Sequence, residues 1–214
     1  MRRMIQFSLF NIPVRVQPWF WITLALIGGA FRANSKEALF SMLLFMLAGF
    51  ISILVHELGH ALTAKYFGKR VEIVLQAFGG YAAYSGGGSL SKLQSLAITA
   101  AGPAIQILLG GAVMIPTESF DGLSEQGEKF FTILYMISFL WAILNLLPVL
   151  PLDGGRLMET ILGPHRIRLT LKISIIVAIV VAILGLKFTG SILLPMFMGL
   201  MAYESYKALK GISW

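Results

Sequence analysis

Apolar residues along the 214-residue chain gather into six runs, at residues 19–31, 38–64, 93–115, 130–147, 169–186 and 191–203, separated by short polar or charged stretches. Runs of this kind predict membrane-crossing helices. Several fall short of the roughly 20 residues a perpendicular span needs, so their ends are expected to extend through polar flanks. Asn34, Ser35, Lys36 and Glu37 precede the second run with an N-cap and the composition of a capping box. Pro116 is expected to close the third run. Two stretches break the pattern. Between Gly68 and Ser91, a β-prone run at residues 71–78 leads into Gly79 and Gly80, and Gly86, Gly87 and Gly88 follow. Short β-prone runs broken by glycines predict a hairpin or small sheet. Should it dip into a bilayer, it must be buried in protein or line a cavity, because lipid does not tolerate a bare strand edge. Residues 7–17 read as a shorter extended segment. The expected fold is an all-α polytopic membrane protein with about six transmembrane helices and a small membrane-associated β-sheet or hairpin. It forms one membrane-embedded domain over residues 1–214.

Composition sharpens that picture. Hydrophobic residues make up 57% of the chain and charged residues 13%, where a soluble domain carries about 25% charged residues. With no cysteine, disulfides, thiolate metal ligands and thiol nucleophiles are excluded. The net charge of +7 raises nucleic acid as a partner, but the basic residues are scattered in short loops and read as topology determinants instead. Taking the amino terminus as cytoplasmic, Arg2, Arg3, Arg15, Lys65, Lys69, Arg70, Lys92, Arg156, Arg166, Arg168, Lys172, Lys207 and Lys210 fall inside. Arg32, Lys36, Lys129 and Lys187 fall outside. This asymmetry predicts cytoplasmic amino and carboxyl termini, with the acidic loop of Glu118, Asp121, Glu125 and Glu128 outside. No small-x-small cleavage site follows the first run before Arg32, so an uncleaved span is expected there rather than a signal peptide.

The chemistry sits in the second run. His56 and His60 are four residues apart with Glu57 beside the first. On a helix, positions i and i+4 share a face about 5–6 Å apart. Two imidazoles there can reach one zinc, and the Glu can flank its water as general base. A chance pattern is the bland alternative, but a carboxylate in mid-membrane costs about 2.5–3.5 kcal/mol even on mild scales. His56 lies nine residues from Lys65, hence about 14 Å along the helix. The site is therefore embedded, opens toward the cytoplasmic side, and needs a path for water.

A catalytic zinc takes three protein ligands plus water. Asp121 falls on the opposite side, and Glu72 and Glu159 sit in charged, interfacial segments. Asp153 remains, just after Pro148 and Pro151, which interrupt the end of the fourth run and free backbone to turn a carboxylate inward. The bland reading of Asp153 is a helix-ending Asp-Gly turn. A carboxylate ligand would also partly neutralise the dication. Elsewhere, His165 reads as solvated, and residues 156–168 as an amphipathic interfacial helix.

The His56-Glu57-Leu58-Gly59-His60 motif, Ala101-Gly102-Pro103, and the Asn145-x-x-Pro148 segment leading to Leu152-Asp153-Gly154-Gly155 resemble the site-2 protease family of intramembrane zinc metalloproteases. Ile12-Pro13-Val14-Arg15-Val16 and Phe78-Gly79-Gly80 support the likeness, which covers most of residues 12–160. The resemblance implies a three-helix catalytic core at residues 38–160, with peripheral helices at 19–33 and 169–206. It implies one zinc per chain on His56, His60 and Asp153, with Glu57 catalytic, and a membrane-inserted sheet that guides substrate. A minimal member without a PDZ or CBS module is expected. The family usually carries Asn three residues beyond the Ala-Gly-Pro proline, where this chain has Gln106. Asn145 matches. Gln106 and Asn145 are candidate substrate-binding residues, with Gly79 and Gly80 as the strand segment beside which a substrate backbone could pair, through residues 74–78. The bland alternative for Gln106 is a hydrogen bond between helices.

The expected function is cleavage of transmembrane segments of membrane-protein substrates within the lipid bilayer, under a regulatory membrane protein and with no nucleic-acid partner. Two other classes share the same ligands: a metal-ion transporter and a catalytically silent membrane-binding homologue. An aspartyl dyad is excluded, since Asp121 and Asp153 fall on opposite sides.

Overall fold

The structure is a computed structural model that describes residues 4–119, 124–189 and 192–211. Arg2, Arg3 and Asp121 lie outside the described residues, as does Ser191 at the start of the sixth apolar run. Among the described residues the chain forms seven α-helices and four strands. In order these are β1 (Ile5–Leu9), β2 (Ile12–Val16), α1 (Pro18–Ile27), α2 (Lys36–Tyr66), β3 (Arg70–Gln76), β4 (Gly79–Ser85), α3 (Lys92–Ser119), α4 (Glu125–Asn145), α5 (Asp153–Leu162), α6 (Ile167–Thr189) and α7 (Leu193–Leu209). Four helical segments are long and apolar enough to cross a membrane: Lys36–Tyr66, Lys92–Met114, Glu125–Asn145 and Pro164–Phe188. The first and last expected runs also fold as helices, α1 with 10 residues and α7 with 17.

Contacts divide the chain into two compact units, residues 1–90 with 101–142, and residues 91–100 with 143–214. In the first, α2 is the central element. Ser35 caps it, its hydroxyl accepting from the Ala38 amide at 3.1 Å. With Ala38 at the third helical position, the reciprocal half of a capping box has no side chain to form it. Thirty-one residues make a helix about 46 Å long.

The extended segments form one four-stranded sheet in the order β1-β2-β3-β4. β1 pairs antiparallel with β2, β2 parallel with β3, and β3 antiparallel with β4. The alternation in β2 turns Ile12, Val14 and Val16 inward, onto a core with Ile73 and Leu75 of β3, Phe20 and Leu24 of α1, and Ile53, Leu54, Leu58 and Ala61 of α2. Arg15 and Glu72 form an ion pair across neighbouring strands, which occupies the Glu72 carboxylate away from the histidines.

Close contacts fix the direction of α1. A Cβ on Gly49 would lie 2.9 Å from Leu24, and one on Gly28 would lie 2.9 Å from Phe45. Rising residue numbers in α1 therefore meet falling ones in α2, so the helices run antiparallel. The Gln17 amide at the head of α1 donates to the Leu75 carbonyl at 2.9 Å. Leu75 pairs with Gly80, and Gly80 lies against Glu57. The chain thus enters α1 level with Glu57, about 14 Å from the carboxyl end of α2, and needs only a short helix to travel back toward Lys36.

Two expectations need correction. Pro116 does not close the third helix, since α3 runs on to Ser119; a proline forfeits one backbone hydrogen bond and kinks a helix without having to end it. Within residues 74–78, Val74 and Leu75 cannot offer an open strand edge, and residues 77–78 form the turn into β4. Val74 and Leu75 lie in β3, flanked by β2 on one side and β4 on the other. Among the described residues the sheet's outer strands are β1 and β4.

In the second unit, α6 and α7 pack through Ala178, Met198, Met201 and Ala202, with Val149 and Leu152 of the preceding turn in the same cluster. The Leu150 amide donates to the Ser174 hydroxyl at 3.1 Å, tying that turn to α6.

A candidate metal centre

His56, Glu57 and His60 are all buried, at 3%, 4% and 9% exposure, in the carboxyl-terminal half of the apolar helix α2. The imidazoles meet edge to face, with centroids 4.7 Å apart and planes at 81°. Their Nε2 atoms converge to 3.1 Å. Tetrahedral zinc with Zn–N bonds of about 2.0–2.1 Å sets its ligands roughly 3.4 Å apart, so this separation suits two nitrogens sharing one ion.

Neighbouring backbone closes on these side chains. A Cβ on Gly102, in the Ala-Gly-Pro of α3, would fall on the His60 ring, and one on Gly59 would lie 2.5 Å from the Ala101 carbonyl oxygen. The glycines let α2 and α3 approach until α3 backbone walls the second imidazole. On the sheet side, a Cβ on Gly80 would lie 2.9 Å from Glu57 Cγ and 3.0 Å from Oε1. β4 therefore passes the carboxylate in direct contact, and its other edge carries no strand among the described residues.

A polar chain runs behind His56. Its Nδ1 lies 2.9 Å from Gln106 Oε1. Gln106 Nε2 lies 2.8 Å from the Ser52 hydroxyl and 3.4 Å from the Ser52 carbonyl oxygen, and Ser52 Oγ lies 3.0 Å from Ser138 Oγ. Gln106, Ser52 and Ser138 are each 0% exposed. Of the two roles expected for Gln106, substrate contact and a hydrogen bond between helices, the second is present: its amide is engaged between Ser52 and His56 of α2. Ser52 and Ser138 escaped that reading. A signal existed, because Ser52 stands four residues before His56 on the same helix face.

Asp153 is the first residue of α5. A Cβ on Gly154 would fall on the Leu146 carbonyl, and one on Gly155 would lie 2.5 Å from Val149 C and from Leu150 N. The helix start is thus clamped under the 146–150 turn, and the two glycines after Asp153 are a steric necessity. Asn145 is the last residue of α4, half-buried, and Gly79 opens β4 at φ 137°. Among the described residues, His56, His60 and Asp153 are a group that could hold a metal ion, with one ligand atom from each all within 4.8 Å of one another. Two imidazole nitrogens and a carboxylate are the donor set of a zinc that keeps a fourth position open, so the residues fit the metal.

Apolar helices around a buried His-Glu-x-x-His group with a nearby carboxylate define a membrane-embedded metallopeptidase class. The profile of peptidase family M50 matches residues 44–120 and 108–188. Zinc metalloprotease MJ0392 of Methanocaldococcus jannaschii is 32% identical over 158 residues, covering 73% of this chain and 44% of that protein. Stage IV sporulation protein FB of Bacillus subtilis is 32% identical over 148 residues, covering 69% of this chain and 46% of that protein. The solved structure of the site-2 protease from Methanocaldococcus jannaschii superposes with a TM-score of 0.70 at 26% identity, over 97% of this chain and 95% of that one. The chain belongs to peptidase family M50, the site-2 proteases. It is an integral membrane protein, and the matched region spans less than half the length of the two curated relatives.

Proposed function

We propose that this chain is a zinc endopeptidase that cleaves transmembrane segments of membrane-protein substrates inside the bilayer, acting as one membrane-embedded domain. The observation that carries the reading is the position of Glu57, buried beside two converging imidazoles and touching Gly80 of a strand with an open edge. A transporter has no use for a carboxylate held between two ligand imidazoles and a strand edge.

His56, His60 and Asp153 would hold the ion. Zinc supplies Lewis acidity toward a carbonyl oxygen and a water. Glu57 then takes the proton from the attacking water and delivers it to the leaving amine. A substrate helix hides its carbonyls in its own hydrogen bonds and must unwind locally. Adding it as a strand on β4 replaces those bonds with backbone bonds, and the missing side chain at Gly80 brings the new strand close to Glu57. Asn145 would donate its amide to a substrate carbonyl. Helix-breaking residues placed in the substrate span should speed cleavage.

Substrate affinity from main-chain bonds is sensitive to proline and tolerant of side-chain change. Successive N–H groups along β4 point to opposite edges, so one of Tyr81 and Ala82 faces the substrate. One of Tyr81→Pro and Ala82→Pro is expected to abolish cleavage in reconstituted vesicles with zinc content unchanged, while Tyr81→Ala is tolerated. Full cleavage by both proline variants, each zinc-loaded, would remove β4 as the docking edge.

In this reading the chain crosses six times with both termini cytoplasmic, α1 completing a crossing that begins at the level of Glu57, and a membrane protein regulates access. Because the protein lacks cysteine, single-cysteine labelling tests it directly. An impermeant probe should label Ser124→Cys from outside, and Ser89→Cys only after permeabilisation. The reverse pattern would overturn the orientation.

A further inference from the structure

We infer that Gln106 is a positioning residue for the metal site, fixing the ring tautomer of His56 through a buried relay anchored on Ser52 and Ser138. The inference rests on His56 being a ligand and adds what sets its ligating nitrogen. A neutral imidazole carries one N–H, and only the other nitrogen can ligate. Which one is free depends on what Nδ1 faces.

The direction of the amide follows from its far end. Gln106 Nε2 faces the Ser52 carbonyl oxygen as well as the Ser52 hydroxyl, and a backbone carbonyl can only accept. The NH2 group must therefore point at Ser52, which leaves Oε1 toward His56. Oε1 can only accept, so His56 Nδ1 must donate across the 2.9 Å separation. The lone pair is thereby left on Nε2, the atom that converges with His60 Nε2 at 3.1 Å. Ser52 Oγ is held in turn by Ser138 Oγ at 3.0 Å. Three helices thus contribute to one hydrogen-bonded line: α2 through Ser52 and His56, α3 through Gln106, and α4 through Ser138. All four side chains are buried, so solvent does not compete, and a lost partner is not replaced. The arrangement also gives a reason for glutamine at this position. The side chain must span from Ser52 to the imidazole, and asparagine is one methylene short.

Three histidines in the chain, His56, His60 and His165, make ring nitrogens resolvable by 15N NMR of the full-length protein with labelled histidine. Zinc affinity is read in parallel by competition with a chromogenic chelator. Wild type should show Nδ1-protonated His56 in both the zinc-free and the loaded state. Gln106→Met keeps length and removes the acceptor, so zinc should bind about 10–100-fold more weakly, the scale for losing a partner behind a metal-bound histidine. The zinc-free variant should populate the Nε2-protonated ring. Gln106→Glu restores an oxygen at the same reach and should bind zinc at least as tightly as wild type with Nδ1 protonated. Ser52→Ala loosens the anchor and should shift the tautomer in the same sense as Gln106→Met, which keeps the test decisive if the methionine variant does not fold. Wild-type affinity and an unchanged His56 ring in Gln106→Met, or in Ser52→Ala when only that variant folds, would overturn the relay. Wild-type zinc binding by His56→Ala would instead defeat the ligand assignment on which it rests.

Discussion

Glu57→Gln should keep its zinc and lose at least about 100-fold in cleavage rate, the usual scale for removing acid–base catalysis. The substitution is isosteric, so the packing against Gly80, where an added Cβ would lie 2.9 Å from Glu57 Cγ, is unchanged. Glutamine cannot accept the proton of an attacking water; it keeps the shape while exchanging a charged acceptor for a neutral amide. Folding should not suffer, since an amide is less costly to bury than a carboxylate at 4% exposure. The measurement is single-turnover cleavage of a transmembrane substrate in proteoliposomes, with zinc per chain determined on the same preparation. The loaded variant should also retain substrate, because neither the β4 edge nor the metal is touched, and it can serve as a trap to identify what the enzyme acts on. Near-normal proteolysis would exclude Glu57 as the base. Zinc-dependent metal flux without cleavage in the wild type would revive the transporter reading.

What could be read from the sequence was whatever local spacing controls. The i, i+4 histidines, an N-cap within residues 34–37 and the apolar runs are short-range patterns, and each has its counterpart in the structure, the cap at Ser35. A hairpin after Gly68 followed from β-prone residues and glycines, and β3 and β4 stand there. Which strand carries an open edge did not follow, because it depends on residues 12–16 returning to pair with β3 across more than 55 positions of chain. The same gap hid the shortness of α1, whose start is set by the Gln17 to Leu75 bond. Gly102 and Gly154 could be quoted as motif letters, but their reason is steric and needs the His60 ring and the Leu146 carbonyl in place. Gln106 shows the limit most sharply. A polar residue in an apolar helix announces a partner, and only the fold says that the partner is His56.

Removing a ligand should abolish zinc binding and activity together. Purified wild type is expected to hold one zinc per chain, and His56→Ala, His60→Ala and Asp153→Ala should each lose most of it by elemental analysis. The two imidazoles and the carboxylate offer atoms within 4.8 Å of one another, so loss of any one leaves two protein ligands where a catalytic zinc uses three. Thermal unfolding in detergent gives an independent reading. A ligand that binds only the folded state stabilises it by about 2.7 kcal/mol at a hundredfold excess over its dissociation constant. Added zinc should therefore raise the wild-type unfolding temperature and leave the three variants unmoved. Each histidine truncation opens a cavity in α2 and should unfold earlier than wild type. Full zinc occupancy in Asp153→Ala would remove Asp153 from the ligand set and leave the third position to be found elsewhere.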